Sequence, residues 1–426
     1  MSNFMMNRRQ ALKLGFGSAA AMALTACGGN GGGEGAADGG DASPIKVGLI
    51  CLHDENSTYD LNFINGFKEA MGELGVAEAD YMIKPNIPEG QECYDAAAEL
   101  ADAGCKVIFA DSFGHEDYMI QAAKEFPEVQ FCHATGTKAH TEGLDNYHNA
   151  FASIYEGRYL AGVAAGLKLQ EMAEAKQLKG DAPKMGYVGA FTYAEVVSGY
   201  TSFFLGAKSI VPDVTMDVTF TGSWYDETAE KEGATKLING GCDLISQHAD
   251  SMGAPTACEN AGVPDVSYNG STIDACPNTF IVSSRIDWAP YYEYAVKQTI
   301  AGEAIDADWT GTLATSSVQL TEVNEAVAAK GTTEKIQEVM AGLEDGSIHV
   351  FDTTTFTVEV TKDKNVNAQV DGDGYLTGYK ADVDTDAAYE GDTEVIADGY
   401  FHESEYRSAP YFDLQIDGIN LLDTKF

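Results

Sequence analysis

The feature that most narrows what this chain can fold into is a repeated unit. "ADAGCKVIFADS" (101–112) runs from a helix end through a glycine stop and a buried strand to a polar landing. "INGGCDLISQHADS" (238–251) repeats that order about 140 residues later. Strand-like and helix-like runs alternate around each copy. "PIKVGLICL" (44–52) suits a central parallel strand, "LNFINGFKEAMGEL" (61–74) spaces Phe63, Phe67, Ala70 and Met71 along one helix face, and "VQFCHA" (129–134) is a further strand. The pattern restarts with "KMGYVGA" (184–190), a helix over "YAEVVSGYTSFFLGAKSI", the strand "VTMDVTFTG", a helix over "ETAEKEGATKLIN", then "CDLISQ", "PTACENAG" and "PDVSY". Such alternation predicts α/β lobes with parallel sheets covered on both faces. At 426 residues there is too much chain for one core, so two Rossmann-like lobes are expected. Gly104 and Gly241 then act as helix stops, and Asp111 and His248 sit at equivalent strand ends.

Open α/β sheets gather ligands at the carboxyl ends of their strands. The first lobe offers "HDENSTYD" (53–60) and "DSFGHED" (111–117) there; the second offers "FTYAE" (191–195), "GSWYDE" (222–227) and "QHADS" (247–251). These polar and aromatic loops suit a small, flat, polar ligand. A formal charge of -40, from 66 acidic and 26 basic residues, repels nucleic acid and anionic headgroups, so no nucleic-acid partner is expected. Neither GxSxG, HExxH, a Walker loop nor a deaminase-type HxE with PCxxC is present, which argues for a binding protein and against an enzyme. There is no CxxC or Cys/His zinc spacing, and neither a metal nor a cofactor is implied. Cys51, Cys105, Cys132 and Cys242 fall in or beside apolar strands as small hydrophobes, while a Cys258–Cys276 bridge stays open.

The ends of the chain differ from the middle. "MNRRQALKLGFGSAAAMALTAC" combines Arg8 and Arg9 with an apolar run too short for a membrane span and closes on Leu24-Thr25-Ala26-Cys27. Residues 1–27 are therefore expected to be a lipoprotein signal peptide, with Cys27 carrying acyl chains that hold the protein on a lipid bilayer. Export by the twin-arginine or the general route is left open. Residues 28–44, "GGNGGGEGAADGGDASP", are expected to be a flexible tether. After 310 the alternation weakens. "TEKIQEVMAGLEDG" is helical, "FDTTTFTVEVT" is expected to be an edge strand, and 371–403 carries ten acidic residues against Lys380 alone. "DGDGYLTG" (371–378) has Tyr375 and Leu376 where a calcium loop needs an oxygen ligand and a glycine, so a hairpin turn is expected.

Five stretches, in order, carry a resemblance: "ADSFGHEDYMIQAAKEFPEVQFCHATG" (110–136), "NAFASIYEGRYLAGVAAG" (149–166), "MGYVGAFTYAEVVSGYTSFFLGAKSIVPD" (185–213), "SWYDETAEKEGATKLINGGCDLISQHADS" (223–251) and "SRIDWAPYY" (284–292). They resemble the basic membrane lipoproteins, which bind purines and nucleosides for ABC importers. The likeness spans roughly 45–310, with an echo at "GLEDGSIHVF" (342–351). It implies a type I periplasmic-binding-protein fold and a three-segment hinge near 137–150, 268–272 and 308–315. Lobe 1 is expected over 45–145 plus 270–310, and lobe 2 over 146–269 plus 311–426 with an acidic extension. It also implies lobe closure on a purine base or nucleoside, delivery to an ABC permease with its ATPase, and residence at the outer face of the cytoplasmic membrane. In the nucleoside-binding branch an Asp and a Lys hold the ribose; Asn269 and Asp287 stand in those places here, which favours a free purine.

A purine needs aromatic plates and groups that bond its edge. Trp224 is the first plate, with Tyr59 and Phe113 as candidates for the opposing one. Asp250, Asn269 and Asp287 are the edge candidates, and Ser112, Gly114, Glu195 and His248 lie at the same strand ends. Each has a plainer reading as well: Trp224 and Phe113 as packing residues, Tyr59 as a helix-entry residue, Asp287 as a partner of Arg285, His248 as structural, and Glu195 as a helix-dipole partner. Trp288 is expected to pack the hinge. Two rival ligands remain for the same fold. One is a sugar; the other is a divalent metal held by His53-Asp54-Glu55, His115-Glu116-Asp117 and His248 with Asp250.

Overall fold

A computed structural model describes residues 45–383 and 393–425; the expected signal peptide, Cys27 and the glycine-rich tether lie outside the described residues. β1 (Lys46–Ile50) leads into α1 (Thr58–Leu74). Ser57 fixes the start of that helix, its hydroxyl accepting from the Asp60 N–H, and Gly75 ends it in the left-handed conformation. β2 (Tyr81–Lys84), α2 (Gln91–Asp102), β3 (Cys105–Ala110), α3 (Glu116–Glu125), β4 (Gln130–Ala134), α4 (Ala139–Glu142) and β5 (Tyr147–Ala152) follow. The next run is α5 (Ile154–Glu174), β6 (Lys184–Gly189), α6 (Ala194–Lys208), β7 (Thr215–Phe220), α7 (Glu227–Asn239), β8 (Leu244–His248), α8 (Gly253–Ala261), β9 (Asp265–Tyr268) and β10 (Phe280–Ile286). Then come α9 (Ala289–Ala301), β11 (Asp308–Gly311), β12 (Val318–Leu320) and α10 (Thr332–Glu344).

Beyond 348, β13 (Ala368–Val370) and β14 (Leu376–Ala381) form the hairpin expected at "DGDGYLTG", with Gly374 at φ +90° in the turn. β15 (Thr393–Glu394) adds to β14, and β16 (Ile396–Ala397) pairs with β17 (Tyr400–Phe401). β18 (Ile419–Leu421) lies parallel to β7. The edge strand expected at "FDTTTFTVEVT" is instead a run of turns joined to its surroundings by single bridges, Asp352–Tyr400, Thr357–Tyr375 and Val358–Ile416.

Two sheets organise the body. The first has the order β11-β5-β4-β3-β1-β2 and the second β12-β10-β9-β8-β6-β7-β18. Every pairing in both is parallel except that of β12 with β10. The registers match: Gly48 of β1 faces Ile108 of β3, and Gly186 of β6 faces Ile245 of β8. Three residues further on, Asp111 and His248 occupy equivalent places.

Sheet membership moves the crossovers from their expected positions. β5 belongs to the first sheet, β9 and β10 both stay in the second, and only α9 and β11 return. The chain therefore passes between lobes at Ser153, at Asp287–Trp288 and over 312–317. The return assigned to 268–272 fails for a physical reason. Phe280–Ile286 is buried along nearly its whole length and finds its parallel partner in β9. The second sheet thus gains a strand that the expected division had given to the first.

Trp288, at the second crossover, is buried and stacks on Phe63 with centroids 4.2 Å apart, which seats α9 on α1. In the second lobe α5 and α6 approach closely. A Cβ at Gly162 would lie 2.0 Å from the Phe203 carbonyl oxygen, and one at Gly206 would lie 2.1 Å from that of Tyr159. Only glycine fits at either position. The seven cysteines from Cys51 onward are free and buried, Cys258 and Cys276 among them.

Candidate functional site

The carboxyl ends of the strands from both sheets meet around a narrow cavity. From the first lobe it is lined by Leu52, His53, Tyr59, Asp60, Ser112, Phe113 and Thr135. From the second come Glu195, Trp224, His248, Asp250 and Tyr268. The lobes are in contact across it. The Thr58 N–H and hydroxyl both donate to the Asp250 carbonyl, at 3.1 and 3.2 Å, and Phe113 packs on Tyr193 at 5.1 Å.

The aromatic rings form a box. Phe191 stacks on Tyr193 and meets Trp224 edge-on at 5.0 Å, so Trp224 and Phe113 join a single ring cluster that spans both lobes. Tyr59 contributes its ring only, because its hydroxyl donates to the Asp111 carbonyl at 2.6 Å. Tyr268 leans on His248 at 4.6 Å. Sequence reasoning did not find Tyr268. The signal was its place at the end of β9, the strand next to the one that ends at His248.

The polar groups are mostly acidic. Asp250 is buried, and its N–H donates to the Trp224 carbonyl at 2.9 Å. Its carboxylate has no hydrogen-bond partner among the described residues. Burial, and then the charges of Asp60, Glu230 and Glu195, push its pKa well above the usual carboxylate range. Glu230 of α7 cross-braces this corner. Its carboxylate accepts from the Ser251 N–H and the Asp226 N–H at 3.2 Å, tying together the loops that carry Trp224 and Asp250, and burial raises its pKa to about 7. Burial lowers the pKa of His248, whose Nε2 lies 3.4 Å from the Glu195 carboxylate. On the first lobe, Ser112 Oγ and the Gly114 N–H both donate to Glu89 (2.6 and 2.8 Å), fixing the Phe113 loop.

Three of the expected site residues lie elsewhere. Asp287 sits in the second crossover, accepting from the Ala289 N–H (3.1 Å) and Gln319 Nε2 (3.0 Å), and does not line the cavity. Arg285 bonds Asn62 and Gln319 instead of Asp287. The misplaced second crossover accounts for this: once β10 belongs to the second sheet, its end feeds the hinge. Asn269 is buried and does not line the cavity; it has φ +66° and an Nδ2 without a partner among the described residues. Gly114 borders a neighbouring compartment, described below.

The metal reading loses its donors. Neither 53–55, 115–117 nor His248 with Asp250 converges; among the described residues only Cys51, Asp60 and Asp111 bring three ligand atoms within 4.8 Å. Burial raises the pKa of both the Cys51 thiol and the Asp111 carboxyl, and metal ligation requires them deprotonated. Asp60 already accepts from the His53 N–H (2.7 Å) and Ser57 Oγ (2.6 Å).

Beside the cavity, and sharing Phe113, Thr135 and Glu195 with it, lies a larger compartment. Lys138 and Thr137 wall it on the first lobe, and Thr192 and Tyr193 on the second. The segment past 348 closes it with Lys364, Arg407 and Tyr411. That segment is fastened to both lobes. β18 extends the second sheet, while the Ser408 N–H and hydroxyl donate to Asp308 of β11 at 2.9 and 2.8 Å.

Two α/β lobes with parallel sheets, three crossovers and a cavity at the strand ends define a solute-binding protein of the periplasmic-binding-protein fold. Solved structures agree. An ABC transporter solute-binding protein from Aeropyrum pernix K1 superposes with a TM-score of 0.60 at 17% identity, covering 72% of this chain and 93% of that one. One from Conexibacter woesei gives 0.56 at 20%, covering 72% and 98%. Residues 54–348 match the Bmp family model, described as ABC transporter substrate-binding protein PnrA-like, and the chain belongs to that family. A purine-binding protein of Brucella abortus is 36% identical over 61% of this chain and 69% of its own length. An ABC transporter protein of Haloferax volcanii, provisionally named glucose-binding, is 33% identical over 50% of this chain and 51% of its own.

Proposed function

We propose that this ABC transporter substrate-binding protein captures a purine base by closing its lobes on it. The carrying observation is the cavity itself: rings from both lobes line it, and so does Asp250, whose buried carboxyl has no hydrogen-bond partner among the described residues. A buried acceptor without a partner costs about 1–3 kcal/mol, which a ligand N–H would recover. Stacking on Trp224 and Phe113 would add about 1–3 kcal/mol per ring by analogy with bases bound in single strands. Among the described residues no Lys or Arg lines the cavity, so a phosphorylated ligand would find no counter-charge from them there. Since ring contacts join the lobes, a bound base would favour the closed form, which the permease with its ATPase would recognise. The name of the Brucella abortus relative supports the same ligand class.

In this reading Cys27 carries the lipid that holds the protein at the outer face of the membrane, and no step of chemistry is involved. A sugar is the second reading, favoured by the name of the Haloferax volcanii relative and by the ability of Trp224 to stack on a sugar face. Thermal shift with adenine, guanine, hypoxanthine, their nucleosides, glucose and zinc separates these readings. A rise with purines is expected; a rise with glucose or zinc alone refutes the proposal.

A further inference from the structure

The two lobes repeat one backbone peculiarity. Ile108 of β3 faces Phe131 of β4, and the equivalent Ile245 of β8 faces Asp265 of β9. Counting four residues on from each partner reaches Thr135 in the first lobe and Asn269 in the second. Both are left-handed, at φ +66° in each case. In both, the N–H still donates to the neighbouring strand, Thr135 to Ala150 at 3.0 Å and Asn269 to Ser284 at 2.9 Å. A glycine follows each of them, Gly136 and Gly270.

Asparagine tolerates that conformation, but a β-branched threonine does not adopt it without strain. Glycine would take it freely, yet the chain keeps Thr at 135 and places its glycine one residue later. The side chain that this strain holds in place is 2% exposed and lines the cavity, and its hydroxyl has no hydrogen-bond partner among the described residues. Strain together with an orphaned buried hydroxyl, at a cavity wall, marks a group held ready for something the protein does not supply. A hydroxyl can both donate and accept, which gives the cavity wall a donor opposite the carboxyl groups of the other lobe.

We propose that Thr135 Oγ1 is a ligand-binding group that donates to an acceptor ring nitrogen of the base, while Asp250 of the opposite lobe accepts from its N–H groups. The two residues would then fix the orientation of the heterocycle in its plane, and the cavity would discriminate by the pattern of donors and acceptors along the ligand edge. This rests on the purine reading and extends it to a residue and an atom class.

The test compares Thr135→Val, Thr135→Ser and Thr135→Gly with the parent by calorimetric titration and by thermal melting without ligand. Thr135→Val is expected to lose about five- to ten-fold in affinity for the preferred purine, the worth of one net hydrogen bond, and Thr135→Ser to keep most of it. Thr135→Gly is expected to melt at a higher temperature than the parent while binding more weakly; a residue with only a packing role would move both in the same direction. The 1-, 3- and 7-deaza analogues identify the acceptor nitrogen. One of them should lose a similar factor with the parent and nothing further with Thr135→Val. If Thr135→Val binds as the parent does while Trp224→Ala does not, this inference fails and the purine reading stands. If the parent binds no purine at all, the reading itself fails.

Discussion

Trp224 is the residue whose removal separates a ligand plate from a packing residue. It is only partly buried and has Phe191 on one edge, so Trp224→Ala should retain the fold while losing about ten- to a hundred-fold in purine affinity. Circular dichroism together with titration checks both halves. Asp250→Asn keeps the shape but replaces half of the acceptor with a donor, and it should change which purine binds best. Much of this site was legible: Tyr59, Ser112, Phe113, Glu195, Trp224, His248 and Asp250 lie at strand ends that alternation alone locates, and they meet at one cavity. Leu52, Thr135 and Tyr268 were not, and His53 and Asp60 were read only as part of the cleft stretch 53–60 and, for His53, as a metal donor. Asp60 lies in the first turn of α1, where its carboxylate accepts from the His53 N–H and the Ser57 hydroxyl, and Tyr268 ends a buried strand. Thr135 becomes notable only through a dihedral angle that no residue pattern announces.

At the scale of elements, α7 supports the site without touching it. Glu230→Ala would leave the Asp226 and Ser251 N–H groups unpaired and loosen both loops, for about 2–3 kcal/mol of stability and a measurable loss of affinity. Denaturant melts and titration of the same sample check this, and Glu230→Gln should do less damage. The segment past 348 lies beyond the family match, and it reaches from β7 to β11 across the second compartment. Asp308→Ala removes its two bonds to Ser408 and should speed ligand release more than it slows capture, as stopped-flow exchange would show. Parallel strands and helices were readable from periodicity, as was the hairpin at 371–378. The crossovers were not. Whether a buried run such as Phe280–Ile286 joins one sheet or the other depends on its neighbour in space, and both choices give the same apolar pattern.

For the whole molecule, buried carboxyls set the response to pH. Burial raises Glu156, Glu230, Asp265 and Glu403 each to about 7, so the folded state holds protons that the unfolded chain releases near pH 4. Stability from these groups is fully present below that value and is lost as pH rises through about 7. His115 and His148, lowered to about 4 by burial, act in the opposite direction, costing stability as pH falls below about 6.5. Asp111, Asp250 and Asp413 are raised by burial as well, and His133 and His248 are lowered, so seven carboxyls act against four histidines; a net charge of -40 adds repulsion that acid relieves. Ligand-free protein should therefore melt at a higher temperature at pH 5.5 than at pH 8. The most direct test of closure on a flat heterocycle is calorimetric titration of the parent and Trp224→Ala with adenine, guanine and hypoxanthine. Saturable binding of at least one base, weakened about ten-fold or more in the variant, is the expected result. Equal affinity in parent and variant, or glucose binding where all three bases leave the baseline flat, would contradict it.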